Sequence, residues 1–122
     1  MPDPALEAAR DSLRAARILV DEGLYRDAVS RAYYAMFSAA KVLLAKRGVQ
    51  ARTHGGVLQA LGEHFVKKGT LDAEVVGHLG FAMQLRQRAD YGDLEVTAAD
   101  AQAVLRRAAE FVPRIESVLE TE

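Results

Sequence analysis

Arg26-Asp27-Ala28-Val29-Ser30-Arg31-Ala32-Tyr33-Tyr34-Ala35-Met36-Phe37-Ser38-Ala39-Ala40-Lys41-Val42-Leu43-Leu44 reads as a helix that is apolar on most sides, its charges thinned to single residues. A surface helix keeps one polar face, so a helix that is apolar nearly all round belongs at the centre of a bundle. Alanines and serines let neighbouring backbones come close, while Tyr33, Tyr34, Met36 and Phe37 supply bulk. A tyrosine hydroxyl buried there needs a partner. A membrane span is the weaker reading of the same run. The apolar stretch from Ala32 to Phe37 is far short of the ~20 residues a bilayer requires, and Arg31 and Lys41 interrupt it. The expected buried set is Ala32, Tyr33, Ala35, Met36, Phe37, Ala39, Ala40 and Leu43.

Working outward, the same logic fits the whole chain. At 122 residues it is long enough for one domain, 1–122, with a core that needs no staples. Half the residues are hydrophobic and 27% are charged, an ordinary soluble composition. A formal net charge of -1 supplies no global basic field, so any nucleic-acid contact must come from a local patch. The lack of cysteine excludes disulfides, thiolate metal sites and cysteine nucleophiles, and fits a cytoplasmic protein. No signal-peptide core follows Met1-Pro2-Asp3-Pro4. Arginine outnumbers lysine three to one and asparagine is absent, which fits either thermophily or GC-rich coding.

Asp3 and Pro4 are a plausible N-cap and first-turn pair for helix one, whose stripe is Leu6, Ala9, Leu13, Ala16 and Val20. Arg10, Arg14 and Arg17 lie off that stripe and are expected in solvent. Gly23 ends the helix, and the short connection makes helices one and two an antiparallel hairpin. Helix two starts at Leu24 or Tyr25 and stops at Gly48. Thr53 caps a third helix reaching about Lys68, with Val57, Leu58, Leu61 and Phe65 inward; Gly69 stops it. A fourth begins at Thr70 or Asp72, carries Leu71, Val75, Val76, Leu79, Met83 and Leu85, and ends near Tyr91-Gly92. Gly77 and Gly80 inside it each cost ~1 kcal/mol against alanine, so close packing of a backbone or ring is expected there. Thr97-Ala98-Ala99-Asp100 is a capping box for helix five, and Pro113 should kink or restart that helix. No stretch alternates long enough to be a strand. The fold class is all-α, an antiparallel four- to five-helix up-and-down bundle.

Chemistry has few places to reside. His54, His64 and His78 are the only histidines, and no pair is spaced three or four apart. No zinc, di-metal, P-loop or nucleophile-elbow motif is present, so neither metal nor cofactor is expected. Gly55-Gly56 could admit a phosphate to the start of helix three. The informative cluster is Leu85-Arg86-Gln87-Arg88-Ala89-Asp90-Tyr91-Gly92-Asp93. One reading is structural: an Arg86–Asp90 ion pair, an exposed Arg88 at the helix end and a capping Tyr91. The other is functional: arginine, carboxylate and phenol converge to bind a phosphate or RNA backbone through Arg86, Arg88, Asp90 and Tyr91.

Ser30-Arg31-Ala32-Tyr33-Tyr34-Ala35-Met36-Phe37-Ser38-Ala39-Ala40, followed by His54, Phe65 and Arg86-Gln87-Arg88-Ala89-Asp90-Tyr91, resembles the HEPN domain family over nearly the whole chain. The likeness is to a small stand-alone bacterial branch. The resemblance implies a helical bundle, commonly a homodimer, often encoded beside a minimal nucleotidyltransferase as toxin and antitoxin. It also implies, for many members, metal-independent ribonuclease activity from an Arg-x(4–6)-His motif at a dimer cleft. Here Arg86 maps onto the motif arginine, but Tyr91 stands where the shortest spacing requires histidine, and no histidine follows. A phenol with an ordinary pKa near ~10 is a poor general base at neutral pH.

Three functions therefore compete. The first is a binding or regulatory subunit beside a nucleotidyltransferase, taking nucleotide or RNA. The second is an active ribonuclease toxin in which His54, from a neighbouring helix or the other subunit, replaces the lost base. The third is a plain helical protein-interaction module.

Overall fold

The computed structural model describes residues 3–91 and 95–121. Gly92 and Asp93 of the cluster above, and Met1-Pro2 at the start, lie outside the described residues. The elements are α1 (Pro4–Asp21), α2 (Tyr25–Lys46), α3 (His54–Leu61) running into a π-helical turn (Gly62–Val66), α4 (Ala73–Tyr91) and α5 (Ala98–Glu120). Among the described residues there is no strand, and the chain is an all-α bundle.

Local chemistry sets the helix ends. Asp3 Oδ1 accepts from the Ala5 N–H at 2.8 Å, and Thr53 Oγ1 accepts from the Gly56 N–H at 2.9 Å. Thr97 and Asp100 cap each other reciprocally. Gly23, Gly48 and Gly69 all take positive φ, the left-handed conformation that closes a helix at little cost when no Cβ is present. The α1–α2 connection is thus only Glu22 to Leu24, which folds the pair into a hairpin.

α2 touches every other helix. Its Val29, Ala32, Ala35, Met36, Ala39, Ala40 and Leu43 are sealed in one core with Phe65, Leu79, Val104, Phe111 and Ile115. Phe37 departs from expectation: it is only half-buried, because the side of α2 carrying Arg31, Tyr34 and Lys41 is left open. Arg31 donates to the buried Ser12 Oγ at 2.7 Å, tying that open side back to α1. Arg14 and Arg17 are exposed as expected, while Arg10 reaches across to Glu116 of α5 in an ion pair.

Three local expectations need correcting. Pro113 does not restart α5, which runs unbroken through it. The proline is exposed, so the ladder bond it removes lies where water can hydrate the carbonyl. A Cβ at Gly77 would meet nothing within 4 Å, and one at Gly80 would only touch the Leu58 side chain at 3.8 Å. No close backbone or ring within the described chain explains either glycine. Helix three, finally, is not uniform: from Gly62 it widens into i→i+5 bonding, with the Lys67 N–H on the Gly62 carbonyl at 3.0 Å. Val57, Leu61 and Phe65, spaced by four, are all fully buried.

Candidate functional site

The open side of α2 is where the bundle stops burying large side chains. Tyr34 is 49% exposed and Phe37 half-buried, whereas Tyr33, next in sequence to Tyr34, is buried. The Thr53 cap fixes the start of α3, and its first residue, His54, lies over these rings. The imidazole stacks on Phe37 at 4.7 Å between centroids and on Tyr33 at 5.4 Å, nearly parallel to both. From α4, the Arg86 guanidinium sits 5.3 Å from the Tyr33 ring centroid. Together with Ser30, Arg31 and Tyr34, these residues line a cavity of about 330 Å³. Arg31 is itself held over the Tyr34 ring at 5.0 Å.

Burial pushes the Tyr33 phenol up to about 12, outweighing the lowering effect of Arg86 beside it. At physiological pH the group is therefore a neutral phenol with a proton to donate. Its hydroxyl is hydrogen-bonded to His54 Nδ1. A buried O–H left without an acceptor is costly, so the phenol is the donor in this pair. Neutral imidazole carries one proton, and with Nδ1 accepting, that proton sits on Nε2. In that tautomer His54 presents an N–H suited to an anionic oxygen.

Sequence reasoning named Arg86, Arg88, Asp90, Tyr91 and His54, and the fold treats them differently. Arg86 and His54 meet in the cavity although they come from different helices. Asp90 Oδ2 lies 3.6 Å from the Arg86 guanidinium, the expected i,i+4 pair. Arg88 is exposed and Tyr91 is 87% exposed, and neither lines the cavity. Arg88 follows Arg86 by ~200° around the helix axis, so the two cannot share a face. The sequence reading gave no site role to Tyr33, Tyr34, Phe37 or Arg31. A signal was available in Arg31, Tyr34, Phe37 and Lys41, which recur at three- and four-residue intervals and so form one stripe.

The Gly55-Gly56 pair has a local explanation on one side: a Cβ at Gly56 would lie 2.8 Å from Thr53 Oγ1 and break the cap. His78 is buried between α4 and α5, its Nε2 3.2 Å from Glu110 Oε2 but without hydrogen-bond geometry. Among the described residues no group of three or more His, Asp or Glu side chains could hold a metal ion. None of the described helices is long and apolar enough to cross a membrane.

Comparison with known proteins places this geometry in context. The family model for the HEPN domain matches residues 4–118. The "Putative toxin MJ0605" of Methanocaldococcus jannaschii is 39% identical over 115 residues, covering 93% of this chain and 85% of that protein. A second protein of that organism, "Putative toxin MJ0142", is 33% identical over 93% of this chain and 78% of its own length. A "UPF0332 protein" of Gloeobacter violaceus is 37% identical over 88% of this chain and 86% of its own.

Proposed function

The chain belongs to the HEPN domain family, and from that premise we propose that it is a toxin-type HEPN protein that binds RNA or nucleotide in the cavity between α2, α3 and α4. The observation that carries this reading is the meeting of Arg86 and His54 in one aromatic-walled cavity. Arginine offers a charge-assisted, bidentate grip on phosphate, and the rings offer faces for a base to stack on. Names of relatives support the toxin-type assignment. In this reading the whole chain is one domain, works in the cytoplasm as a homodimer, and has a minimal nucleotidyltransferase as its partner. Arg88, Asp90 and Tyr91 form an outer rim: Arg88 adds charge, Asp90 orients Arg86, and Tyr91 is free to meet a partner or a base.

Binding is favoured over cleavage. Metal-free scission needs a base for the 2′-hydroxyl proton and a cation for the charge gathering on phosphate. Arg86 meets the second need at any physiological pH. The first is unmet while the Tyr33 hydroxyl occupies His54 Nδ1 and leaves a proton on Nε2. The ribonuclease reading keeps one specific support, the presence of an imidazole and an arginine in the same cavity.

Fluorescence anisotropy with a labelled single-stranded oligoribonucleotide in EDTA, followed by gel analysis of the same samples, separates the two. Binding without cleavage is expected, weakened by Arg86→Ala and only partly kept by Arg86→Lys. Robust cleavage by the unmodified protein, abolished by His54→Ala, would establish the ribonuclease instead. Tyr91→His, which restores the Arg-x(4)-His spacing, is the matching gain-of-function variant. Copurification from the native host tests the nucleotidyltransferase.

A further inference from the structure

A second cavity, of about 370 Å³, lies where α2 gives way to the loop leading to α3. Its floor is apolar, from Leu44, Val49 and Ala51, and its cations are Lys41 and Arg52. It adjoins the first cavity at two points. The Lys41 ammonium stands 5.6 Å from the centroid of the Phe37 ring, which lines the first cavity. Arg52 precedes His54 by two residues, at most ~7 Å of extended chain.

Charge separates this pair of cavities from a third. Although the net charge is -1, neither lining contains a carboxylate, and together they bring in Arg31, Arg86, Lys41 and Arg52. Among the described residues, the only carboxylate paired with any of these four cations is Asp90, on Arg86. A cavity of about 970 Å³ between the same end of α2 and residues of α1 and α5 is the counterexample: Asp3, Glu116 and Glu120 share it with Arg10, Lys46 and Arg47. A polyanion gains no net attraction from that balanced lining and is attracted to the smaller two.

We propose that the Lys41–Arg52 cavity is a second nucleotide subsite, continuous with the Arg86–His54 cavity across Phe37, so that the ligand is a single strand of RNA engaging both. This rests on the RNA-binding reading above and narrows it from a nucleotide to a strand. The Phe37 ring is the divider: one base stacks in the first cavity, and the strand passes the ring edge under Lys41. The next nucleotide then lies on the apolar floor with its phosphate at Arg52. A duplex, its bases already stacked and paired, offers nothing to either apolar wall.

The test uses the full chain and two probes, uridine monophosphate and a six-residue oligouridylate, titrated calorimetrically at several salt concentrations. The hexamer is expected to bind at least tenfold more tightly than the monophosphate. Lys41→Ala combined with Arg52→Ala should remove that advantage and lower the salt slope by about 1.4, two cations at ~0.7 each for a single strand. Monophosphate binding should stay within twofold. A double variant that binds the hexamer as the wild type does, or loses both probes equally, overturns the second subsite. If Arg86→Ala spares both probes while the double variant abolishes hexamer binding, the second track stands and the Arg86 cavity reading falls. If the wild type binds neither probe at millimolar concentration, both fall.

Discussion

The two sides of α2 are built from different kinds of residue and do opposite things. On one, Ala32, Ala35, Met36, Ala39 and Leu43 are sealed against the rest of the bundle, and no polar group interrupts them. On the other, Tyr34 and Phe37 lie partly in the open, bracketed by Arg31 and Lys41, with His54 and Arg86 brought in from α3 and α4. Small side chains give close approach and stability. Large flat ones on the other side are left partly uncovered by the chain.

The largest expected effect lies on the sealed side. Leu43→Ala should cost about 2–5 kcal/mol in urea unfolding, because the side chain is fully buried and close-packed surroundings relax only partly. A loss below ~1 kcal/mol would mean that the contrast between the sides is false. Phe37→Ala should cost less, about 1–2 kcal/mol, since the ring is only partly buried and part of its transfer free energy is not at stake. Its binding defect should exceed its stability defect, the reverse of Leu43→Ala.

How much of this was legible from sequence follows from how local each feature is. The caps at Asp3, Thr53 and Thr97, and the left-handed glycines at 23, 48 and 69, are settled within a few residues, and their readings hold in the fold. The centrality of α2 was legible because an all-round apolar helix has one home. Phe37 misled because an aromatic ring in an apolar helix looks the same from sequence whether a neighbour covers it or not. The pairing of Arg86 with Asp90 is an i,i+4 matter and was readable, whereas the meeting of Arg86 with His54 depends on how three helices pack. Spacing drew attention to Arg88 and Tyr91, which the helix turns toward solvent.

Smaller effects sharpen the open side. Tyr33→Phe keeps the ring and removes only the hydroxyl, freeing Nδ1, so nitrogen NMR should show the His54 proton redistributing between its two ring nitrogens. An unchanged spectrum would mean that the phenol does not set the tautomer. The same variant reports on alkaline stability. The folded Tyr33 holds its proton up to about 12 against an ordinary 10.0, so its stabilising contribution is whole below pH 10 and disappears as pH rises through 12. The wild type should lose stability more steeply than Tyr33→Phe across that window. Gly77→Ala carries the smallest effect, a gain of about 0.5–1 kcal/mol, because the new methyl meets open space on a helix. A loss instead, accompanied by dissociation in sedimentation, would place a second copy of the chain on that face of α4.

The π-helical turn at Gly62–Val66 has a consequence for how the third helix keeps its apolar edge inward. In a regular α-helix, residues four apart drift by ~40° per step, so Val57, Leu61 and Phe65 would fan across ~80° of the surface. The wider winding from Gly62 takes back part of that turn, and all three side chains stay fully buried.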